Sequence, residues 1–585
     1  MEQETSQDLG KYFGDAPEGE TFFDQLSSTG NLDMMTNVQS SPQQELFSNS
    51  RRPDPLSDKI GKLELSEKEP EPSVCKIFSE TPTVDSSDKN FFDILSPSHI
   101  DSPDGDPSLI GSSLINFDTN NEGPYPSPLQ GFEESFDVLT GPETYRTKEA
   151  WIPSEVTRKA LIVAATSSPG SYHPDKQLLT MPSVLLREEL VCELTQLIRQ
   201  VFGDEEASKR NIQTVNDVPQ DEKGLRELIQ NHCFRAAVNL TSKLLSSRGQ
   251  GLNRQNQPTK HTPYSIQLWF TRFCLLVKLH YFKIAFDESN VWWNLDRPDL
   301  YYQFYPELYG GKLGTMVPFQ MRLLIATIPA YVSQYSMALD RLYFVLAAVK
   351  QMLSNLEAGK TEEGSLIELS QKEREIAEKV WRSREARVQH AIINVALMSK
   401  HYILAIEVLQ LVIKKNSSRN QKRALHSALG RIFLQLGDLK NAEKCFAEAK
   451  QLKRQQQGTL SADTADLREL VDKGLFFVAE MNHSQAFECF QKALMLDPYN
   501  IMVVNNMAFC LLYMGKLKKA VEILVSVIKS NPTAALHEAL LLNVCTLFEL
   551  ESSNITQKQA LLKEIAKYKG DGLKLDCLKA IMKQR

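Results

Sequence analysis

The stretches FECFQKALMLDPYN (487–500) and VEILVSVIKSNPTA (521–534) stand 34 residues apart and share one pattern, with Asp-Pro in the first answered by Asn-Pro in the second. Taken as one unit, 467–500 places Gly474, Phe477, Ala486, Phe490, Ala493 and Pro498 at fixed offsets. The next unit, 501–534, fills those offsets without insertion by Ala508, Leu511, Ala520, Leu524, Val527 and Pro532. Upstream, 423–456 supplies Leu429, Gly430, Phe433, Ala442, Phe446 and Ala449. Small residues let the two helices of a hairpin approach, and large ones fill the space beside them. The closing proline ends the second helix because it lacks an amide donor and its ring clashes with the preceding turn. A unit this short cannot bury its apolar face alone, so units must stack.

The pattern resembles the tetratricopeptide repeat, a 34-residue helix-turn-helix unit. Weaker matches extend upstream: 386–419 around Ala405 and Leu409, and 319–352 around Ala326, Ala338 and Leu342. Others are 266–299 with Trp269, Leu276 and Ala285, and 217–250 with Leu225, Leu228, Ala236 and Leu240. The expected fold class is all-α: a tetratricopeptide-repeat solenoid, coiled as a right-handed superhelix, behind a long disordered acidic N-terminal tail. The expected division is a tail at 1–140, a transition segment at 141–215, degenerate repeats at 216–385 with an aromatic insertion at 291–315, clearer repeats at 386–534 and a helical cap at 535–585. Within the transition, SVLLREELVCELTQLIRQVFG (183–203) reads as an amphipathic helix.

The net charge of −7 is unevenly divided: residues 1–140 hold 27 acidic against 8 basic side chains, and the remainder 46 against 58. The first segment is rich in Ser, Pro, Asp and Glu and cannot bury enough apolar surface to offset its ordering entropy. Aromatic–acidic clusters recur in it: TFFDQL (21–26), NFFDIL (90–95), INFD (115–118) and ESFDVL (134–139). They read either as short docking motifs for a basic-rimmed groove or as aromatics that a polar tail happens to keep. FFDQL and FFDIL resemble acidic two-phenylalanine motifs read by endoplasmic-reticulum membrane adaptors, and FDVL resembles motifs that bind autophagy receptors. Ser41, Thr81, Ser96, Ser102, Ser127 and Ser168 each precede proline and are candidate phosphorylation sites. Each phosphate would add about −1.5 to −2 charges.

Nine cysteines, an odd number with no CxxC pair, fall mostly in apolar periodic segments and point to a reducing compartment without disulfides or a zinc site. The polar start MEQETSQDLG carries no signal-peptide pattern, and no apolar run approaches a membrane span, LYFVLAAV being among the longest. The expected protein is cytoplasmic and reaches membranes only through partners. No catalytic, metal or cofactor-binding residues are expected. YGGKLGT (309–315) lacks the order of a phosphate loop, and neither GxSxG nor HExxH occurs. His232, His401 and His483 fall near the turns of proposed hairpins, where polar turn residues explain them. The basic charges of the body are spread over helix faces without an aromatic–basic stripe, which argues against nucleic acid.

In tetratricopeptide-repeat proteins the groove is lined by first-helix positions that here include Leu475, Val478, Met502, Asn505, Phe509, Leu512 and Tyr513. That lining is apolar and suits a helix or an intramolecular element, or else it packs against the neighbouring unit. Asn506 alone matches the clamp used for acidic C-terminal peptides, which disfavours a cochaperone. Between the weak units, VWWNLDRPDLYYQFYPELYGGKLGT (291–315) gathers Trp292, Trp293, Tyr301, Tyr302, Phe304, Tyr305 and Tyr309, broken by Pro298 and Pro306. It reads as a set of interface anchors or as a loop folded back over the core.

That stretch, with LWFTRFCLLVKLHYFKIAFDE (268–288) and MVPFQMRLLIATIPAYVSQY (316–335), closely resembles the subunit 12 family of the transport protein particle (TRAPP) complex. The likeness extends over roughly 145–585. It implies an accessory scaffold subunit in endoplasmic-reticulum-to-Golgi traffic, bound to TRAPP subunits 8 and 11. It also implies peripheral attachment at the endoplasmic reticulum–Golgi intermediate compartment and Golgi, without catalysis. The alternative, motivated by the Ser-Pro sites, is a phospho-regulated adaptor with a mitotic or nuclear role.

Overall fold

The computed structural model of the chain describes residues 142–168, 172, 174–210, 212–366, 369–416, 418–457, 466–552 and 555–578. The acidic tail, with its motifs and five of the six Ser/Thr-Pro sites, lies outside them.

Helices α1 (Pro142–Glu149) and α2 (Glu155–Thr166) open the described chain; α3 (Glu193–Phe202) and α4 (Asp204–Ser208) follow. The stack then begins with α5 (Glu222–Gln230) against α6 (Phe234–Ser247), and α7 (Pro263–Lys278) against α8 (Phe282–Ser289). After the aromatic insertion, which contains the short α9 (Pro306–Tyr309), come α10 (Phe319–Tyr331) with α11 (Tyr335–Glu357), and α12 (Gln371–Met398) with α13 (Tyr402–Lys415). Three further pairs are α14 (Arg419–Gln435) with α15 (Leu439–Gln457), α16 (Leu467–Ala479) with α17 (His483–Leu496), and α18 (Ile501–Tyr513) with α19 (Leu517–Ser530). A short α20 (Pro532–Ala535) leads to α21 (Glu538–Ser552) and α22 (Ile555–Tyr568). The described chain is an all-α solenoid of stacked hairpins, with one isolated backbone bridge between Tyr301 and Thr315. Because α12 is a single helix from 371 to 398, no unit boundary falls at 386.

One turn joins every hairpin from α5–α6 to α18–α19. Its middle residue is left-handed: His232, His280, Ser333, Lys400, Gly437, Met481 and Gly515, with φ between 55° and 75°. The next residue donates its N–H to the carbonyl five positions earlier, at 2.7–2.9 Å, from Cys233 to Leu228 through Lys516 to Leu511. This closes the orphan carbonyls of the first helix and aims the chain back along it. Only two of the seven use glycine, so the turn is set by packing of the helices rather than by turn chemistry.

Inside the hairpins the small-against-large offsets meet. A Cβ on Gly474 would lie 2.5 Å from Phe490 Cε1, and one on Gly430 2.5 Å from Phe446 Cε1. In the following unit the same places hold Ala508 and Leu524, both buried, a methyl group facing a smaller side chain. Leu429, Ala442, Ala449, Ala486, Ala493, Leu511 and Ala520 are buried, while Phe433, Phe477 and Val527 are half-buried. Pro498 and Pro532 each follow the last residue of a long helix by two; Pro532 also opens α20.

The apolar interior divides into two clusters. One runs from Ala150 to Cys445; the other joins α3 and α4 to residues 467–578. The seam between them is polar: Asp472 accepts from Ser427 Oγ at 2.6 Å and from Arg431 Nε at 2.8 Å, and Arg423 pairs with Asp466.

Residues 179–192 differ from the amphipathic helix expected over 183–203. Only α3, from Glu193, is helical; the preceding run is extended and its backbone bonds to the stack. Asn239 spans both groups of Leu190, accepting its N–H and donating to its carbonyl, each at 2.9 Å. Leu185 N–H reaches Glu288 at 2.9 Å, and Ser183 Oγ reaches the Gly251 carbonyl at 2.9 Å. Those partners replace the intrahelical bonds, so the run forms a strap across α6 and α8.

Candidate functional site

The aromatic insertion proceeds as three 3₁₀ turns, Asn290–Trp292, Pro298–Leu300 and Tyr302–Phe304, followed by α9. Prolines at the first positions of two of these segments set φ for the turn and prevent a continuous helix. Trp292, Tyr301 and Tyr302 are buried. Trp292 packs beside Trp269 (ring centroids 5.7 Å apart) and edge-on to His261 at 5.5 Å. Tyr301 donates to Asp296 at 2.7 Å, and Tyr302 to Glu149 at 2.9 Å. The reading of these three as partner anchors is therefore corrected: their ring area and the two tyrosine hydroxyls are spent inside the fold, pinning the insertion to α1 and the core. Phe304 and Tyr305 are half-buried and pack edge to face at 5.0 Å; Trp293 is 58% exposed.

Charges fix the same region. Asp299 accepts from the backbone and hydroxyl of Thr180 at 2.7 and 2.9 Å, tying the strap to the insertion. Arg272 and Glu288, both fully buried, form a two-pronged pair at 2.6 and 2.8 Å, and Glu288 also holds Leu185 of the strap. Arg384 donates to the Lys148 carbonyl at 2.9 Å, satisfying the C-terminus of α1, and stacks over Trp381 at 4.3 Å. Burial, with Arg387 and Arg322 nearby, pushes its guanidinium down to about 9.

Along the first helices of the last units, Leu475, Met502 and Phe509 are half-buried and Leu512 is buried. Leu512 is thus unavailable as a groove contact. His483 lies stacked on Tyr513 at 4.2 Å, and Phe509 tilts against Tyr513 at 4.7 Å. Both ring nitrogens of His483 are buried without a hydrogen-bond partner, and burial lowers its pKa. Asn505 accepts from the Asn543 amide of α21 at 2.6 Å. Much of this groove lining contacts its neighbours in the stack. The sequence reading missed His483 as a member of this cluster because a histidine at a turn gives no sign of what it stacks on.

The outward helices carry unpaired apolar surface that the repeat offsets do not predict. On α11, Phe344 is 65% exposed, with Tyr343 and Met337 also exposed; on α13, Ile403 is 70% exposed, with Leu411. Both helices pack against α12, which lies between them in the chain. Ser168, the one described Ser-Pro site, is exposed just beyond α2. Among the described residues no group of three His, Cys, Asp or Glu side chains converges as a metal site, and no helix is long and apolar enough to cross a membrane.

These features define an α-solenoid repeat protein. Residues 425–456 match the family model of the tetratricopeptide repeat. The chain is 38% identical over 443 residues to trafficking protein particle complex subunit 12 of Mus musculus, covering 76% of this chain and 55% of that relative. The subunit 12 of Homo sapiens is likewise 38% identical over 443 residues, covering 76% of this chain and 60% of the relative. The resemblance to subunit 12 is thus shown over three quarters of the chain, which spans little more than half the length of those relatives. Among solved structures, yeast Tom70 aligns over 78% of this chain and 80% of its own at 14% identity, with a TM-score of 0.24, too low to bear on function.

Proposed function

We propose that this chain is a non-catalytic scaffold subunit of a TRAPP tethering complex, working in endoplasmic-reticulum-to-Golgi vesicle transport. The observation that carries the reading is the 38% identity over 443 residues to two relatives named as subunit 12 of that complex. Its partners are other TRAPP subunits, the large subunits 8 and 11 foremost, and its membrane attachment is peripheral, through the complex at the intermediate compartment and Golgi. The exposed apolar side chains of α11 and of α13 support docking by the solenoid, since large apolar residues left in water on one helix face are ordinarily covered by a partner. Exposed aromatic and aliphatic residues of this kind act as the anchors of protein interfaces.

Affinity capture of the tagged full-length chain from cytosol, read by mass spectrometry, tests this. Wild type should recover subunits 8 and 11. The double variant Phe344→Asp, Ile403→Asp should fold normally, because exposed substitutions stay within about 0.5 kcal/mol, and lose about tenfold or more of that recovery. Failure of the wild-type chain to recover any TRAPP subunit would sink the reading.

A further inference from the structure

The outward face of α2 carries large apolar side chains among its charged ones, where a solvent-facing helix surface is ordinarily polar throughout. Thr157, Ala160, Leu161 and Ala164 face the solenoid. Val156 is 60% and Ile162 57% exposed, with Val163 beside them, and Arg158, Lys159 and the acidic Glu155 are exposed among them. The helix is held in place from its inner side: Thr157 Oγ1 donates to the Asp296 carbonyl at 2.7 Å, and Ser154 N–H to the Asp296 carboxylate at 2.9 Å. A surface of exposed apolar side chains, with two basic residues against one acidic, thus sits close in sequence to the point where the described chain begins.

Residues 131–139, GFEESFDVL, end three positions before α1. They place Phe132, Phe136 and Leu139 at i, i+4 and i+7, the spacing of one helix face, with Glu133, Glu134 and Asp137 between them. Acids and apolar anchors are the complement of a surface of Val156, Ile162 and Val163 flanked by Arg158 and Lys159. Reach is not limiting. Only the eight residues of α1, about 12 Å of helix, and the five-residue link 150–154 separate the segment's end from the start of α2. Nine residues span about 30 Å when extended.

We propose that residues 131–139 dock on the outward face of α2, so that the acidic tail covers a patch of its own solenoid. A segment tethered this closely acts at an effective concentration in the mM range, and an intrinsic affinity of about 0.1 mM then holds the docked state at about ten to one. This goes beyond the scaffold reading and is tested on the isolated chain, so the outcome does not depend on complex assembly.

Hydrogen exchange of the full-length chain is compared with full-length Phe136→Ser and, as a control, Phe92→Ser in the distant NFFDIL motif. The expected result is exchange across 155–166 about tenfold faster in Phe136→Ser and unchanged in Phe92→Ser. In the otherwise unaltered chain, a photo-crosslinking amino acid at position 162 should give an adduct to 131–139 at monomer mass. Unchanged exchange in Phe136→Ser, a response to Phe92→Ser, or an adduct to a second copy or another segment overturns the proposal.

Discussion

Asp571 accepts the backbone N–H of Arg235 at 2.9 Å across 336 positions of sequence. The same carboxylate takes the N–H of Ala236 at 3.2 Å, and Arg235 also bonds the Asp571 carbonyl. Helix α6 has no capping side chain of its own. Asp571, just beyond the last helix, caps it from the far end of the solenoid. Arg210 reinforces the join, donating to the carbonyls of Lys569 and Gly570 at 2.9 and 3.1 Å. The final unit therefore rests on the first hairpin, and the stack closes on itself. Ends of a repeat array are ordinarily its weak points, because a terminal unit has one neighbour instead of two. Here both ends share one contact.

Closure predicts that Asp571→Ala costs about 1–2 kcal/mol, the loss of a helix cap, and opens the join locally. Faster hydrogen exchange should appear at 234–240 and 569–578 together. Asp571→Asn retains an acceptor for the two amides and should lose less. Exchange that changes at only one of the two segments would refute shared closure.

The fit of Gly474 against Phe490 predicts that Gly474→Ala is destabilising by about 1–3 kcal/mol through overpacking. The neighbouring unit supplies the remedy, since it pairs Ala508 with Leu524. The double variant Gly474→Ala, Phe490→Leu should recover most of the loss in urea unfolding, with a coupling of at least about 0.5 kcal/mol. Additive losses would mean that the ring and the glycine are not in each other's way.

Met481 is exposed and left-handed at φ 61°. Left-handed backbone costs an L-residue about 1–2 kcal/mol, partly offset for glycine by its freer unfolded chain. Met481→Gly should therefore stabilise the protein by about 0.5–1 kcal/mol in chemical denaturation. Lys400→Gly, at φ 59°, should act in the same direction.

Breaking the buried pair by Arg272→Leu should cost about 3–5 kcal/mol, because Glu288 is left charged and buried without its partner. Thermal unfolding measures the loss. Since Glu288 also holds Leu185, exchange along 183–190 should rise in Glu288→Ala well beyond the effect on α8.

Burial lowers the pKa of His261, His390, His426 and His483 below the ordinary 6.5. The unfolded chain then takes up protons first as pH falls. The stability these groups provide is present above 6.5 and is lost as pH drops through their lower folded values. The melting temperature should fall between pH 7 and 5. His483→Phe keeps an aromatic ring on Tyr513 but cannot titrate, so its melting temperature should depend less steeply on pH. An unchanged slope would remove His483 from the set.

The sequence alone determined the repeat unit and its register, because the small and large offsets and the prolines are local and recur every 34 residues. Gly474 and Phe490 could be paired on that basis, and the density of aromatics at 291–315 marked the insertion. The tertiary structure decided the rest. The run before Glu193 has helical spacing of apolar residues, yet it is extended because Asn239 and Glu288 offer its backbone better partners. Trp292 and Tyr301 belong to the core because Trp269 and Asp296 await them, whereas Trp293 next door faces water. Five of the seven left-handed turns lack glycine, and Asp571 reads as an ordinary turn residue until Arg235 is placed beside it. Periodicity reports what a helix does with its own neighbours in sequence; contacts between residues far apart in the chain leave no periodic trace, and closure of the solenoid is made entirely of such contacts.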